Sequence, residues 1–157
     1  MRERRIVAPS AEETEAAGAA LAAALPSLEA GAASVHLQGG LGAGKTTFAR
    51  GFLRRLGVAG PLRSPTFTLL ERHEAGGLVF AHVDLYRLGA PRDVEDLGLR
   101  DLARPGHVWL IEWPERGLGF LPEPDLFLQL EVLESEAHAI TAFARSPLGE
   151  EWLRRAS

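Results

Sequence analysis

Cysteine is absent from this sequence of 157 residues. Without thiols the chain can form no disulfide bridge, no thiolate metal site and no cysteine nucleophile. Hydrophobic runs long enough to cross a membrane are also missing, and the charged start, Met1 to Arg5, lacks the apolar core of a secretory signal. We therefore expect a cytoplasmic protein with no membrane partner.

Lysine is almost as scarce, because Lys45 is the only lysine in the chain. The guanine-recognition motif N-K-x-D of GTPases is therefore excluded. Arginine supplies the generic surface charge, so the lone lysine indicates a specific role that suits a compact ammonium better than a flat guanidinium. The net charge of −4 argues against autonomous binding to DNA or RNA, which needs a basic surface.

The single lysine belongs to a glycine-rich motif, G-x-x-x-x-G-K-[ST], which binds nucleotide phosphates in P-loop proteins. Glycines let the backbone wrap closely round phosphates, and the loop N–H groups and the following helix N-terminus attract anions. We expect Lys45 to contact the β- and γ-phosphates and the Thr46 hydroxyl to ligate Mg²⁺. The predicted nucleotide-binding residues are Gly39, Gly40, Leu41, Gly42, Ala43, Gly44, Lys45, Thr46 and Thr47.

The segments on either side of the motif predict the strand–loop–helix order that it requires. Ser34 to Gln38 is predicted to be a strand, and Lys45 to Leu56 a helix that ends at Gly57. Upstream, Ser10 starts a predicted capping box for an alanine-rich helix. Other strands are predicted at 4–7, 67–72, 78–83, 107–111, 126–133 and 137–143, and other helices at 92–103 and 148–155. We expect residues 1–157 to form a single domain.

Two acidic residues follow apolar strands and are candidates for the carboxylate that a P-loop needs near Mg²⁺. Asp84 follows one such strand and Glu112 another, and ligand sites gather at the carboxyl ends of strands in open α/β sheets. The residues alone do not decide between the two. Thr66 lies on a proline-containing loop, where its hydroxyl either meets the γ-phosphate or metal or only caps the loop.

Two further features have more than one interpretation. Trp113, beside the candidate carboxylate, is either a buried anchor or a mobile cover for the site. Arg50, Arg54 and Arg55 on the predicted P-loop helix form either a solvated face or a contact for a partner protein.

Four motifs occur together and in order: the P-loop, S-P-T-F-T at 64–68, H-V-D-L-Y-R-L at 82–88 and I-E-W-P-E at 111–115. With these motifs the chain resembles the TsaE family, bacterial ATPases formerly called YjeE, from about Ser10 to Leu121. The resemblance implies an α/β fold of the P-loop NTPase-like, three-layer type, with parallel central strands and antiparallel strands or hairpins at the edges. It also implies a role in making threonylcarbamoyladenosine in tRNAs that read codons beginning with A.

The resemblance further implies partners and residue roles. Family members bind ATP with Mg²⁺, hydrolyse it weakly alone, and act with the TsaD–TsaB complex, so that tRNA is met only indirectly. Asp84 and Thr66 would lie near the γ-phosphate, with Asp84 a candidate for orienting water. The implied catalytic residues are Lys45, Thr66, Asp84, Glu112 and Trp113, and the implied metal ligands are Thr46 and Glu112.

Two other function classes fit a short P-loop protein. A small-molecule kinase, acting on a nucleoside or metabolite, would need an arginine-bearing lid over the phosphates. The segment 88–104, with Arg92, Arg100 and Arg104, is the candidate for such a lid, although its pattern is that of an ordinary amphipathic helix. The other class is a nucleotide-gated binding protein with negligible turnover.

Overall fold

The strand–loop–helix order predicted around Lys45 lies at the centre of a mixed β-sheet. A computed structural model of the chain describes residues 2–65 and 67–156. Within them the strands are β1 (Glu3–Ala8), β2 (Ala33–Gln38), β3 (Leu70–Ala75), β4 (Leu78–Asp84), β5 (His107–Glu112), β6 (Leu126–Val132) and β7 (His138–Ala144). The α-helices are α1 (Ala11–Ala23), α2 (Lys45–Arg55) and α3 (Pro147–Ala156).

The seven strands form one sheet in the order β1-β7-β6-β2-β5-β4-β3. The four central strands, β6, β2, β5 and β4, run parallel to one another. At the two sides β7, β1 and β3 pair antiparallel with their neighbours. The predicted parallel centre with antiparallel edges is therefore confirmed. Since the carboxyl ends of β2, β4 and β5 meet at one edge, residues that follow these strands are brought together there.

Side chains alternate between the two faces of the sheet, and each face has its own core. On β5, Val108 and Leu110 belong to a large cluster with buried residues of α1, α2 and α3. Trp109 and Ile111 belong to a smaller cluster on the opposite face. By the same alternation Glu112 points to the face that carries α2, which is where the candidate site requires it.

The predicted helix over 92–103 is wrong. The segment forms two short 3₁₀ helices, Pro91–Leu97 and Leu99–Leu102. They are separated by Gly98, whose φ of 73° is left-handed. A residue in that conformation interrupts a right-handed helix, so a continuous amphipathic helix cannot form here.

The predicted strand over 67–72 has the wrong bounds, because β3 begins only at Leu70 and continues to Ala75. Leu69 has a φ of 64°, which is incompatible with extended strand and delays its start. At the other end Gly76 and Gly77 have φ values of 58° and 79°. Two successive positive values are typical of the tight two-residue turn that joins antiparallel strands.

Helix α1 lies directly against α2, and this contact fixes the helix that carries Lys45. The Ser10 side chain accepts a hydrogen bond of 3.3 Å from the Glu13 N–H, which is the N-cap half of the predicted capping box. Glu15 of α1 forms ion pairs with Arg54 and Arg50 of α2 at 2.9 and 3.7 Å. Two of the three α2 arginines thus contact α1. Within the described parts of the chain, no helix is both long and apolar enough to cross a membrane.

Candidate active site

A cleft of about 410 Å³ opens at the carboxyl edge of the central strands. One wall is the glycine-rich loop (residues 39–47), of which residues 41–47 line the cleft. The other wall contains Asp84, Glu112 and Trp113. Five of the predicted catalytic and metal-binding residues therefore meet in one place: Lys45, Thr46, Asp84, Glu112 and Trp113. Thr66, also predicted, lies outside the described residues.

Backbone geometry explains why the loop is rich in glycine. Gly42 and Gly44 have φ values of 77° and 98°, in the left-handed region that glycine enters at no steric cost. At Gly39 a Cβ atom would lie 2.5 Å from the Leu130 carbonyl oxygen. Only glycine allows the start of the loop to pass so close to β6.

Lys45 is drawn inward at the first turn of α2. Its Nζ donates hydrogen bonds to the carbonyl oxygens of Gly39 and Gly40 at 2.6 and 2.7 Å, and it lies 4.2 Å from the centre of the Trp113 ring. Burial lowers the pKa of Lys45, and this effect is opposed by the negative charges of Glu112 and, more weakly, Glu115 and Asp84. The ammonium is therefore a desolvated cation held against its own loop and facing carboxylates.

Glu112 is buried and held at both carboxylate oxygens. Thr46 Oγ1 donates to Oε1 at 2.9 Å, and His82 Nε2 lies 2.7 Å from Oε2. The side chain of Glu112 has only 2% of its surface exposed. A buried carboxylate with this many partners has a fixed orientation.

Asp84 lies beside Glu112, because the two residues are partners in the register of β4 and β5. Ser64 Oγ donates a short hydrogen bond to Asp84 Oδ2 and is 3.3 Å from Glu112 Oε2. The Tyr86 N–H donates to Asp84 Oδ1 at 3.0 Å. The loop before β3 thus connects the two carboxylates through one hydroxyl.

Trp113 has a left-handed backbone, with a φ of 58°, which turns its ring away from the strand and over the cleft. The ring is half-buried and packs on Tyr86, with ring centres 4.9 Å apart and planes tilted by 46°. The ring contacts Lys45 on the cleft side and also packs against the smaller hydrophobic cluster, so both interpretations of Trp113 stay open. That Trp113 is a mobile cover stays a prediction.

The donor atoms in the cleft fit Mg²⁺. Thr46, Asp84 and Glu112 offer hydroxyl and carboxylate oxygens, the ligands that this hard cation prefers. Among the residues that the structure describes, no group of three or more His, Cys, Asp or Glu side chains is placed to hold a metal by itself. Protein Mg²⁺ sites often use one or two side chains together with substrate phosphates and water, so the set suits a cation that arrives with a nucleotide.

The sequence profile of one family matches residues 8–140, and its description is "Threonylcarbamoyl adenosine biosynthesis protein TsaE". The chain belongs to the TsaE family. The resemblance inferred from the four motifs is therefore confirmed. Membership connects the chain with the biosynthesis of threonylcarbamoyladenosine in tRNA.

Individual TsaE-family relatives match over most of their length. A protein of Haemophilus influenzae, named tRNA threonylcarbamoyladenosine biosynthesis protein TsaE, is 42% identical over 116 residues, which cover 74% of this chain and 73% of the relative. A protein of the same name from Treponema pallidum is 39% identical over 137 residues, 87% of this chain and 98% of the relative. Among solved structures, YdiB of Bacillus subtilis superposes with a TM-score of 0.74 at 28% identity, covering 99% of this chain and 97% of YdiB.

Several residues around the cleft were not predicted as site residues from the sequence, among them Ser64, Tyr86, Arg87, His82 and His138. His82 lies two residues before Asp84 on β4, so strand alternation alone places both on one face. His138, at the start of β7, lines the cleft, and its Nδ1 is 2.9 Å from Thr14 Oγ1. No local signal points to His138, because it reaches the glycine-rich loop only through the sheet order.

Proposed function

We propose that this TsaE-family chain is a P-loop ATPase, folded as one P-loop NTPase-like domain over residues 1–157. In this proposal the protein binds ATP with Mg²⁺, and its hydrolysis of ATP supports the synthesis of threonylcarbamoyladenosine. The observation that carries the proposal is the convergence of Lys45, Thr46, Asp84 and Glu112 in one cleft. P-loop enzymes share four parts: a phosphate-binding loop, a lysine, a hydroxyl and an acidic residue near the metal.

In this proposal the glycine-rich loop and Lys45 bind the phosphates. Residues 41–47 of the loop and the start of α2 line the cleft, and the free N–H groups of a helix N-terminus favour an anion. Lys45 Nζ, now bonded to the carbonyl oxygens of Gly39 and Gly40, exchanges these acceptors for phosphate oxygens. Because the ammonium is already desolvated, its interaction with phosphate is stronger than it would be in water.

In this proposal Thr46 and Glu112 bind the metal. When bound, Mg²⁺ supplies neutralisation of the negative charge that develops on the phosphates. The hydrogen bond of 2.9 Å from Thr46 Oγ1 to Glu112 Oε1 holds the two oxygens next to each other, which supports a shared role. These two side chains therefore need little rearrangement to act together.

Asp84 is proposed to orient the attacking water. It lies next to Glu112 in the sheet register and is fixed by Ser64 and the Tyr86 N–H. Thr66, two residues after Ser64, is proposed to meet the γ-phosphate. Trp113 is proposed to cover Lys45 until nucleotide binds.

The proposed partner is a TsaD–TsaB-type protein complex. The net charge of −4 disfavours direct binding to the tRNA backbone, since such binding depends on clustered lysine and arginine side chains. We therefore propose that the chain acts on tRNA only through this protein complex, and that it binds neither DNA nor membranes.

The described structure offers less support for a small-molecule kinase. Of the candidate lid residues Arg92, Arg100 and Arg104, none is among the described residues that line the cleft. Arg100 instead pairs with Glu95 at 3.2 Å and has 88% of its side chain exposed. An arginine that turns to solvent does not stabilise a transferring phosphoryl group.

The test is phosphate release from ATP with and without the TsaD–TsaB pair, followed by the same assay with a panel of nucleosides and metabolites. We expect Mg²⁺-dependent hydrolysis that the protein pair stimulates and that no small molecule intercepts. Lys45→Ala is the control for contaminating ATPases. Stoichiometric transfer of phosphate to a metabolite, with no response to the protein pair, would overturn the proposal in favour of a kinase.

A further inference from the structure

Glu112 has a buried partner for which the proposed ATPase mechanism has no use, His82. We propose that His82 is a positioning residue that fixes the Glu112 carboxylate, so that Oε1 is presented with Thr46 to Mg²⁺. This inference rests on the proposed function, because it assigns a role within the same magnesium site.

The geometry divides the two oxygens of Glu112 between two tasks. Oε1 faces the cleft and accepts from Thr46 Oγ1 at 2.9 Å. Oε2 faces inward to β4, where His82 Nε2 lies 2.7 Å away. With its inner oxygen fixed, the carboxylate cannot rotate its outer oxygen away from Thr46 without losing a buried hydrogen bond.

The direction of this hydrogen bond follows from the chemistry of the two groups. An ionised carboxylate only accepts, so Nε2 carries the hydrogen and donates to Oε2. The other ring nitrogen, Nδ1, is buried and has no hydrogen-bond partner among the described residues. If His82 served only to fill space, an apolar side chain would be more stable here, because burying an unpaired polar group costs free energy. The hydrogen bond to Glu112 explains why a polar ring is buried at this position.

His82 reaches Glu112 because of the sheet register. On the parallel pair β4–β5, His82 is opposite Leu110 and Asp84 is opposite Glu112. His82 and Asp84 therefore share the α2 face, with His82 one pleat further inside. Ser64 Oγ also approaches Oε2 but at 3.3 Å, so His82 makes the closer of the two contacts. Outer partners of this kind commonly orient the ligands of a metal.

The test compares His82→Leu, which removes the donor, with His82→Gln, whose side-chain amide reaches about as far as Nε2. His36→Leu is the matched control, because His36 is also a buried strand histidine but lies on the opposite face of the sheet, away from Glu112. For each protein, calorimetry gives the Kd of a non-hydrolysable ATP analogue in EDTA and over a range of Mg²⁺ concentrations. Phosphate release over the same Mg²⁺ range provides a second readout.

We expect His82→Leu to raise the half-saturating Mg²⁺ concentration by about 10- to 100-fold, the usual effect of losing an outer partner of a metal ligand. The Kd in EDTA should stay at the wild-type value, because phosphate binding uses Lys45 and the loop. His82→Gln should recover most of the Mg²⁺ response, and His36→Leu should match wild type. Wild-type Mg²⁺ dependence in His82→Leu, or equal impairment of the Leu and Gln variants, would overturn the inference.

If His82→Leu does not fold, His82→Asn replaces it in the comparison, because it carries the same amide on a shorter side chain that does not reach Oε2. Equal Mg²⁺ responses from the Gln and Asn variants would then overturn the role of His82. A different result would show that the proposed function itself is wrong. Nucleotide binding by the wild-type protein that does not respond to Mg²⁺ would refute the magnesium site itself, and the inference with it.

Discussion

Gly51→Ala is expected to destabilise the fold, because α1 and α2 cross at this glycine with their backbones in contact. A Cβ atom at Gly51 would lie 1.9 Å from the carbonyl oxygen of Glu15 and 2.7 Å from its carbonyl carbon. Both are backbone atoms of α1, so no change of rotamer can relieve the overlap. Gly18 makes the reciprocal approach, with its Cβ position 2.1 Å from the Phe48 oxygen.

The size of the effect follows from the overlap. Since a carbon–oxygen contact needs roughly 3.3 Å, α1 must retreat from α2 by more than about 1 Å. Overpacking of this kind costs up to about 3 kcal/mol, and the better helix propensity of alanine returns about 1 kcal/mol. The net loss is about 2 kcal/mol, which lowers Tm by about 4–8 °C for a domain of this size.

Thermal unfolding followed by circular dichroism measures the change. Gly31→Ala is the control, because a Cβ at Gly31 meets no atom of the described residues within 4 Å and should change stability by less than about 0.5 kcal/mol. If Gly51→Ala unfolds at the wild-type temperature, the helices do not cross at Gly51, and the placement of α2 behind the glycine-rich loop is wrong.

Single side chains give three other predictions. Burial lowers the pKa of His36 from 6.5 to about 4, so the unfolded state binds more protons between these values, and stability falls by up to about 3 kcal/mol as pH drops from 6.5 to 4. Urea unfolding of His36→Leu over this range should show a shallower loss than wild type, and parallel curves would contradict the burial of His36. Ser10→Ala should lower the unfolding free energy by about 1 kcal/mol in the same assay, and no change would mean that the cap of α1 contributes nothing. Lys45→Ala should abolish calorimetric binding of an ATP analogue while the protein stays folded, and wild-type affinity would remove Lys45 from the phosphate site.

The parts of the site that were predictable are those determined by neighbours in the chain. The glycine-rich loop, Lys45 and Thr46 follow from one motif, because strand, loop and helix are consecutive. Asp84 and Glu112 were predictable as strand-end residues, since parallel strands deliver their carboxyl ends to a common edge. Their separate roles were not predictable, because the contacts of Glu112 with Thr46 and His82 depend on strand order and register.

The errors in the fold have a common physical cause, which is local backbone conformation that composition does not reveal. Leu69 adopts a left-handed φ in a segment of strand-forming residues, and the strand therefore starts at Leu70, three residues later than predicted. Gly98 splits a helical pattern into two 3₁₀ turns by the same means. Glycine permits such a φ but does not require it, so the pattern alone could not decide.

Magnesium-dependent ATP hydrolysis by Glu112→Ala, in the presence of the TsaD–TsaB pair, tests the proposed site most directly. Removal of a proposed metal ligand should reduce turnover by more than the roughly 10- to 100-fold typical of an outer partner, with cooperative unfolding retained in circular dichroism. A folded Glu112→Ala protein with unchanged turnover and unchanged Mg²⁺ dependence would contradict the assignment of Glu112 to the metal and point to Asp84 instead.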